Sequence, residues 1–392
     1  MKIGIVLSNP PGYSETFFTS KIKGLQANGM EVVLFVQNKE DGFNLCKIHK
    51  APKAYPNYPI IQTLLTIKVV FTLLPHLKTV LKFVKLERKE NTSFLQIVKK
   101  TYLNSHILKH KLDWLHFGFA TQALGSELVA KAIGAKMAVS FRGFDMAIYP
   151  LKHKECYTLL WKNIDKVHTI SDDLLTIAYS LGLPKNTLVQ KITPAIDIAV
   201  FNSDRKAFNF QKNKIKIISV ARLNWKKGFV DVIRALKIVK ERGIDFEYTI
   251  VGEGIEYERI AFETHELGLS NQVHFLGKKT KEEVVKLYKS SHIFIQYSIS
   301  EGFCNAVLEA QAMGLLSIVS DAEGLPENIK DKKTGWLVPK SNPQALANKL
   351  IEVIHLPKAE KLQISENAKQ RVKEYFTIEQ QQDKFVEFYK NK

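Results

Sequence analysis

The feature that most restricts the fold is an alternation that runs the length of the chain and restarts halfway. Short apolar stretches, KIGIVLS (2–8), EVVLFV (31–36), DWLHFGF (113–119), KMAVSF (136–141) and KVHTIS (166–171), each have a helical segment close by, the first from about Glu15. This predicts parallel βαβ units, because a parallel neighbour needs a long crossover and a helix usually supplies it. The pattern begins again with KIKIISVAR (214–222) and continues through FEYTIVG (246–252), QVHFLG (272–277), HIFIQYS (292–298) and LSIVSD (316–321). Between the two series, residues 191–214 carry Pro194 and scattered polar residues with little periodicity, as a linker would. At 392 residues the chain is also too long for one ordinary core. The expected fold is α/β, with two Rossmann-like, doubly wound domains (residues 1–200 and 201–376) facing across a cleft. An amphipathic helix at 377–392 is expected to pack back on the first domain.

Charge is spread unevenly over this frame. The net formal charge is +18, of which residues 1–200 hold 26 − 14 = +12, and residues 68–111 contain ten basic and two acidic side chains. Val69, Val70, Leu73, Leu77, Val80, Leu81 and Val84 recur there at helical spacing, giving a basic amphipathic surface suited to anionic lipid headgroups or phosphorylated substrates. No run of about 18 uninterrupted apolar residues occurs, so no spanning helix is expected. The apolar run before Pro10 is too short for a signal peptide, which predicts a cytoplasmic protein. Cys46, Cys156 and Cys304 are too far apart for a disulfide framework or a metal pattern.

The second half holds most of the chemistry. After IKIISV comes ARLNWKKG, where Arg222 and Lys227 stand at a strand–loop–helix junction and can grip phosphate oxygens. VGEG (251–254), with Gly252 at the strand end, permits a tight turn or a close backbone approach. Ser298, Ser300 and Glu301 follow HIFIQYS, and a helix is expected from near Asn305 to Gly314. Amides from Gly302 through Phe303, Cys304 and Asn305 to Ala306 would be free at its N-terminus, a ready site for a diphosphate. Glu309 lies eight residues beyond Glu301, about 12 Å along a helix. Glycosidase carboxylate pairs stand about 5–5.5 or 6.5–9.5 Å apart, so these two acids read as separate tools. Glu309 could accept hydrogen bonds from a ribose diol and Glu301 could hold sugar hydroxyls.

EGFCNAVLEAQAMGLLSIVS followed by DAEGLPENIKDKKTGWLV (321–338) resembles the C-terminal half of the family 4 retaining glycosyltransferases of the GT-B fold, with their E-x7-E, GG-x-PE and TG-x-LV motifs. SVARLNWKKG is similar to the donor loop of that family, and PAIDIAVF (194–201) to its interdomain segment. PGYSETFFTSKIKGLQANGMEV resembles the opening of members that build bacterial exopolysaccharides of the colanic-acid type. The resemblance implies transfer of a hexosyl unit from a UDP- or GDP-linked sugar to a lipid-linked glycan, with retention at the anomeric carbon. Arg222 and Lys227 would hold the donor diphosphate and Glu309 the ribose. Glu301 and the amides of Phe303, Cys304 and Asn305 would hold sugar and phosphate.

DWLHFGF and SFRGFDM (140–146) are similar to acceptor-side segments of the family, which places His116, Arg142 and Asp145 there, with Glu15 and Thr16 of the SETF motif. Arg142 stands where a histidine is usual and cannot act as a base, but it can neutralise a leaving phosphate. Gly118 replaces a second histidine, and Glu323 replaces a glycine of the donor-side loop. No D-x-D motif ends a strand in the donor half, so no metal or other cofactor is expected. The expected partners are a nucleotide sugar, a glycan acceptor and an anionic membrane surface met by residues 68–111 on the inner face, with no nucleic acid. Two other readings compete, a nucleotide-sugar 2-epimerase of the same layout and a non-enzymatic polyanion-binding protein.

Overall fold

The computed structural model describes residues 1–12, 16–38, 42–204 and 214–391. It divides into two compact units, Met1–Ile192 with Gln381–Lys392, and Thr193–Gln380. The first unit thus ends at Ile192, short of the expected boundary at residue 200. The segment 193–204 joins the second unit, where Ile196 bridges to Thr377.

In the first unit seven strands form one parallel sheet. They are β1 (Lys2–Leu7), β2 (Glu31–Val36), β3 (Lys47–Lys50), β4 (Trp114–Phe117), β5 (Lys136–Ser140), β6 (Lys166–Thr169) and β7 (Leu188–Lys191), in the order β3-β2-β1-β4-β5-β6-β7. The second unit repeats the plan with β8 (Ile215–Val220), β9 (Phe246–Val251), β10 (Val273–Phe275), β11 (Ile293–Gln296), β12 (Leu316–Ser320) and β13 (Trp336–Val338), in the order β10-β9-β8-β11-β12-β13. Both are Rossmann orders, in which the winding reverses between the first and fourth strands. The central strands are runs such as EVVLFV and LSIVS because helices cover both faces of the sheet and bury nearly every side chain.

Helix α1 (Thr16–Ala27) follows β1 and buries Phe18, Ile22 and Leu25. Three helices then stand between β3 and β4: α2 (Pro59–Leu73), α3 (Leu77–Lys89) and α4 (Phe94–Leu108). Pro59 opens α2 and Ser93 caps α4 by accepting the Gln96 amide. The helix Ile378–Lys390 sets Phe385, Phe388 and Tyr389 into the first unit's core, each almost fully buried and worth about 1.5–3 kcal/mol. Gly24 makes the approach possible, since a Cβ there would lie 2.5 Å from the Gln382 side chain.

The expectation of no segment suited to spanning a membrane is corrected. Pro59–Lys89 is, by length and composition, long and apolar enough to cross one, and almost none of it is buried. Lys68 is the only charged residue from Pro59 to Pro75, but Gln62, Thr63, Thr66 and Thr72 also break the run, so a count of unbroken apolar residues misses the helix.

Candidate active site

In an open parallel sheet, ligands bind beyond the strand C-termini where the order reverses. In the second unit that place lies between the neighbouring strands β8 and β11. Lys227 follows β8 and Glu301 follows β11, and the Lys227 ammonium donates to the Glu301 carboxylate at this reversal. The Ser298 hydroxyl donates to the same carboxylate oxygen at 3.4 Å. The two loops are tied together, because Ile299 N–H donates to the Lys226 carbonyl at 2.6 Å. Gly228 has φ +63°, and a Cβ there would sit 2.1 Å from the Tyr297 carbonyl oxygen, so only glycine lets the loops meet. Burial alone would lower the Lys227 value, but Glu301 outweighs it and holds the ammonium above its ordinary range.

Arg222 is exposed at the end of the same loop and has no ion pair among the described residues. The VGEG loop supports it from below. A Cβ at Gly252 would stand 1.9 Å from the Ala221 carbonyl oxygen, and Glu253 C=O accepts the Leu223 amide at 2.9 Å. Gly252, expected on the donor side, thus serves the packing of the loop that carries Arg222.

The helix that follows β11 spans Asn305–Ala312. Its N-terminus is less open than the sequence suggested. Asn328, fully buried, accepts the Cys304 amide at 3.1 Å and donates to the Cys304 carbonyl at 3.0 Å. That corrects the expectation of free amides from Gly302 to Ala306. The amides of Gly302, Phe303 and Asn305 have no acceptor among the described residues. The Phe303 ring is buried against Phe376, with centroids 5.9 Å apart, so only its backbone faces the site. Burial and the neighbouring Glu301 push the Cys304 thiol up to about 12, which leaves it inert.

Glu309 lies on the same helix, partly buried. Burial pushes its carboxyl up to about 7, opposed by Tyr288, whose hydroxyl donates to it at 3.3 Å, and by Lys281.

Glu323 was noted in the sequence only as a departure from glycine. Its backbone keeps the left-handed conformation that glycine would favour, φ +37°, at a cost of about 1–2 kcal/mol. Its carboxylate accepts the Glu301 amide and lies 3.8 Å from the Lys340 ammonium, while Gly324 N–H donates to the Glu301 carbonyl at 2.9 Å. Lys340 also donates to the Ile299 carbonyl at 3.2 Å. Glu323, Lys340 and Asn328 therefore shape the loop on which Glu301 stands, and none of them was expected there.

In the first unit the expected acceptor residues lie deeper than the sequence implied. His116 is fully buried in a polar chain. It meets Lys21 Nζ at 3.2 Å, the Ser140 hydroxyl at 2.8 Å and the Tyr389 hydroxyl at 2.6 Å, and Ser140 continues to His168 at 2.8 Å. Burial and the nearby Lys21 hold the His116 imidazole well below its usual value, and burial does the same to the Lys21 ammonium. A ring so enclosed holds the core together, so the acceptor-side expectation for His116 is corrected. The same applies to Asp145, which is fully buried and accepts the Ala120 amide at 3.0 Å; burial pushes its carboxyl up to about 7.

Arg142 is half-buried, its guanidinium 3.9 Å from the Phe17 ring centroid. A Cβ at Gly118 would lie 2.3 Å from Leu7 Cδ2 and 2.8 Å from Phe18 Cζ, so a side chain there would require Leu7 and Phe18 to shift. Glu15 lies outside the described residues, as does the side chain of Thr16.

Residues 200–371 match the family described as Glycosyl transferases group 1. The chain is 29% identical over 252 residues to the amylovoran biosynthesis glycosyltransferase AmsK of Erwinia amylovora, covering 61% of this chain and 60% of that one. It is 28% identical over 269 residues to the putative colanic acid biosynthesis glycosyltransferase WcaL of Escherichia coli K12, covering 67% and 66%. The chain thus spans less than two thirds of the length of these two relatives. A 25% match over 310 residues, 76% of this chain and 77% of the relative, reaches the N,N'-diacetylbacillosaminyl-diphospho-undecaprenol alpha-1,3-N-acetylgalactosaminyltransferase of Campylobacter jejuni.

Among solved structures, the sucrose-phosphate synthase of Thermosynechococcus elongatus superposes with a TM-score of 0.75 at 17% identity, over 100% of this chain and 98% of that one. Anabaena HepE in complex with UDP-glucose superposes with a TM-score of 0.71 at 16% identity, over 99% and 98%. The fold is thus the two-domain α/β arrangement of the GT-B enzymes, and residues 200–371 of this chain are a group 1 glycosyltransferase domain.

Proposed function

We propose that the chain is a retaining hexosyltransferase of surface or exopolysaccharide synthesis, using a UDP- or GDP-linked sugar and a lipid-linked glycan acceptor. One observation carries the reading: the Lys227–Glu301 pair stands at the strand-order reversal of the group 1 domain, with the amides of Gly302, Phe303 and Asn305 beside it.

The chemical difficulty is charge separation as the anomeric C–O bond breaks and its electron pair moves onto the diphosphate. Arg222, Lys227 and the helix N-terminus stabilise that charge where it develops. Glu309, when ionised, accepts from the ribose diol. Glu301 steadies the sugar and keeps Lys227 protonated. The acceptor hydroxyl attacks the anomeric carbon on the face the diphosphate leaves, and its proton passes to the departing phosphate. With two cations at the leaving group, the reaction needs no metal or other cofactor.

Names of relatives support the acceptor class, since the Campylobacter jejuni protein is named for a diphospho-undecaprenol substrate. The surface of α2–α4 supports a peripheral position on the inner face of a membrane. Ile60, Leu64, Phe71, Leu81, Phe94 and Leu95 are each at least 60% exposed there, among Lys68, Lys78, Lys82 and Lys85.

Thermal shift with UDP, GDP and ADP, with and without EDTA, tests the donor side. The expected result is stabilisation by UDP or GDP that EDTA leaves unchanged; the reading fails if no nucleotide stabilises the protein. Anomeric NMR of the product checks retention. Flotation with anionic and neutral vesicles tests the membrane side, and indifference to lipid charge would remove it.

A further inference from the structure

The first unit holds a cavity of about 780 Å³ that no sequence motif marks. It opens beyond the C-terminal ends of β1 and β2, at Val6, Leu7, Val36 and Gln37, and α4 forms one wall. This is where an open parallel sheet places a ligand, and the volume suits a small molecule.

The walls are fixed by buried hydrogen bonds. Tyr102, buried on α4, donates to the Lys53 carbonyl at 2.7 Å and so anchors the 51–54 segment. Asn104, also buried on α4, donates to the Gly125 carbonyl at 2.9 Å and accepts from Ser126 at 2.7 Å, which sets the opposite side.

The charge of the lining is positive and partly uncompensated. Lys100 is matched by the buried Glu87 at 2.8 Å. Lys53 and Lys99, exposed at the cavity, have no carboxylate partner among the described residues. His106 in the wall adds no charge at neutral pH, because burial pushes it down to about 4. The first turns of α4 carry both characters. Gln96 and Lys99 line the cavity, while Phe94, Leu95 and Val98 project into solvent at 69%, 79% and 38% exposure. They continue the apolar surface of α2 and α3.

From this juxtaposition we infer that the cavity is a headgroup site for an amphiphile bearing phosphate or diphosphate, its charged end on Lys53 and Lys99 and its hydrocarbon tail on the apolar surface of α2–α4. The inference rests on the transferase reading, for which it supplies the place where a lipid-linked acceptor is held. Two lysines with no carboxylate partner among the described residues, next to the exposed side chains of Phe94 and Leu95, favour such a ligand over a free anion.

Isothermal titration of the full chain with farnesyl diphosphate below its micelle concentration tests this, with UDP at saturation so that the second unit's diphosphate site is filled. Inorganic pyrophosphate and farnesol, titrated separately, are the control arms. Farnesyl diphosphate is expected to bind at least about tenfold more tightly than either control. The exposed pair Lys53→Ala/Lys99→Ala is expected to weaken it about tenfold with unchanged melting temperature. Phe94→Ser/Leu95→Ser is expected to weaken farnesyl diphosphate and leave pyrophosphate alone.

Equal binding of pyrophosphate and farnesyl diphosphate, or binding indifferent to the lysine pair, overturns the proposal, as does no binding of any probe. The UDP thermal shift separates the two readings. If UDP stabilises the chain and farnesyl diphosphate fails, only the headgroup site falls; if UDP fails, the transferase reading falls with it.

Discussion

Each unit gathers a lysine, carboxylates or imidazoles and hydroxyls near the C-terminal ends of its central strands, yet the two clusters do opposite work. In the first, Lys21, His116, Ser140, His168 and Tyr389 are sealed in the core and bonded to one another. In the second, Lys227 and Glu301 keep 18% and 16% of their side chains exposed, Arg222 is open to solvent, and Glu323 holds a strained backbone beside them. Residue types alone do not separate scaffold from tool. Burial and strain do, because a sealed network can only stabilise while an open, strained one can respond to a ligand.

The largest effect that would sharpen this contrast is on rate. Lys227→Ala is expected to lower kcat/KM by about 10²–10³, as removal of one charge stabiliser at a leaving group does. Retention of full turnover on a nucleotide sugar would put the tool elsewhere.

His116→Ala should produce the mirror image. It leaves the Tyr389 and Ser140 hydroxyls short of a buried partner and opens a cavity, costing about 2–4 kcal/mol in urea melts. UDP affinity should stay within about twofold.

Next is the pH dependence of Glu309. Its value near 7 lies above the ordinary 4.5, so between those pH values the native state keeps a proton that the unfolded chain has released. Stability therefore falls as pH rises through that window. Glu309→Gln should raise stability at pH 8 by about 1–3 kcal/mol, with almost no gain at pH 4.5, while weakening UDP binding. Equal urea midpoints for the two proteins at pH 8 would contradict this.

The smallest change is Glu323→Gly. Relief of the left-handed strain and loss of the Glu301 amide's acceptor oppose each other, so the net stability change should be within about 1 kcal/mol. The Glu301 loop should loosen, and the KM for the donor should rise. A melting temperature that drops by more than about 5 °C would show that Glu323 belongs with the scaffold after all.

Much of the fold was legible because central parallel strands are buried on both faces and so read as unbroken apolar runs. Three strands are absent from the series of apolar stretches, β3 (KIHK), β7 (LVQK) and β13 (WLV); all are short sheet edges, the first two half exposed and polar and the third only three residues long, which leaves no such run. The positions of Lys227 and Glu301 beyond the ends of β8 and β11 were legible because each follows an apolar run at a short offset. Glu323 and Asn328 were not, since they meet Glu301 and Cys304 from 22 and 24 residues away, across a β-strand crossover. His116 misled because a strand-end histidine has the same sequence signature whether it faces a ligand or a core. Only the packing of Tyr389, far along the chain, decides between them.

That packing also has a temporal side. Residues 381–391 complete the first unit, yet 380 − 192 = 188 residues of the second separate them from the rest of it. At about 5–20 residues per second of synthesis, the first sheet waits roughly 10–40 s for Phe385, Phe388 and Tyr389. Through that interval it carries an open apolar face and a bare Lys21–His116 network. The domain made first is therefore the one finished last. A ribosome-bound chaperone, or the surface of a nearby membrane, would find this half of the protein unfinished after the second unit has folded.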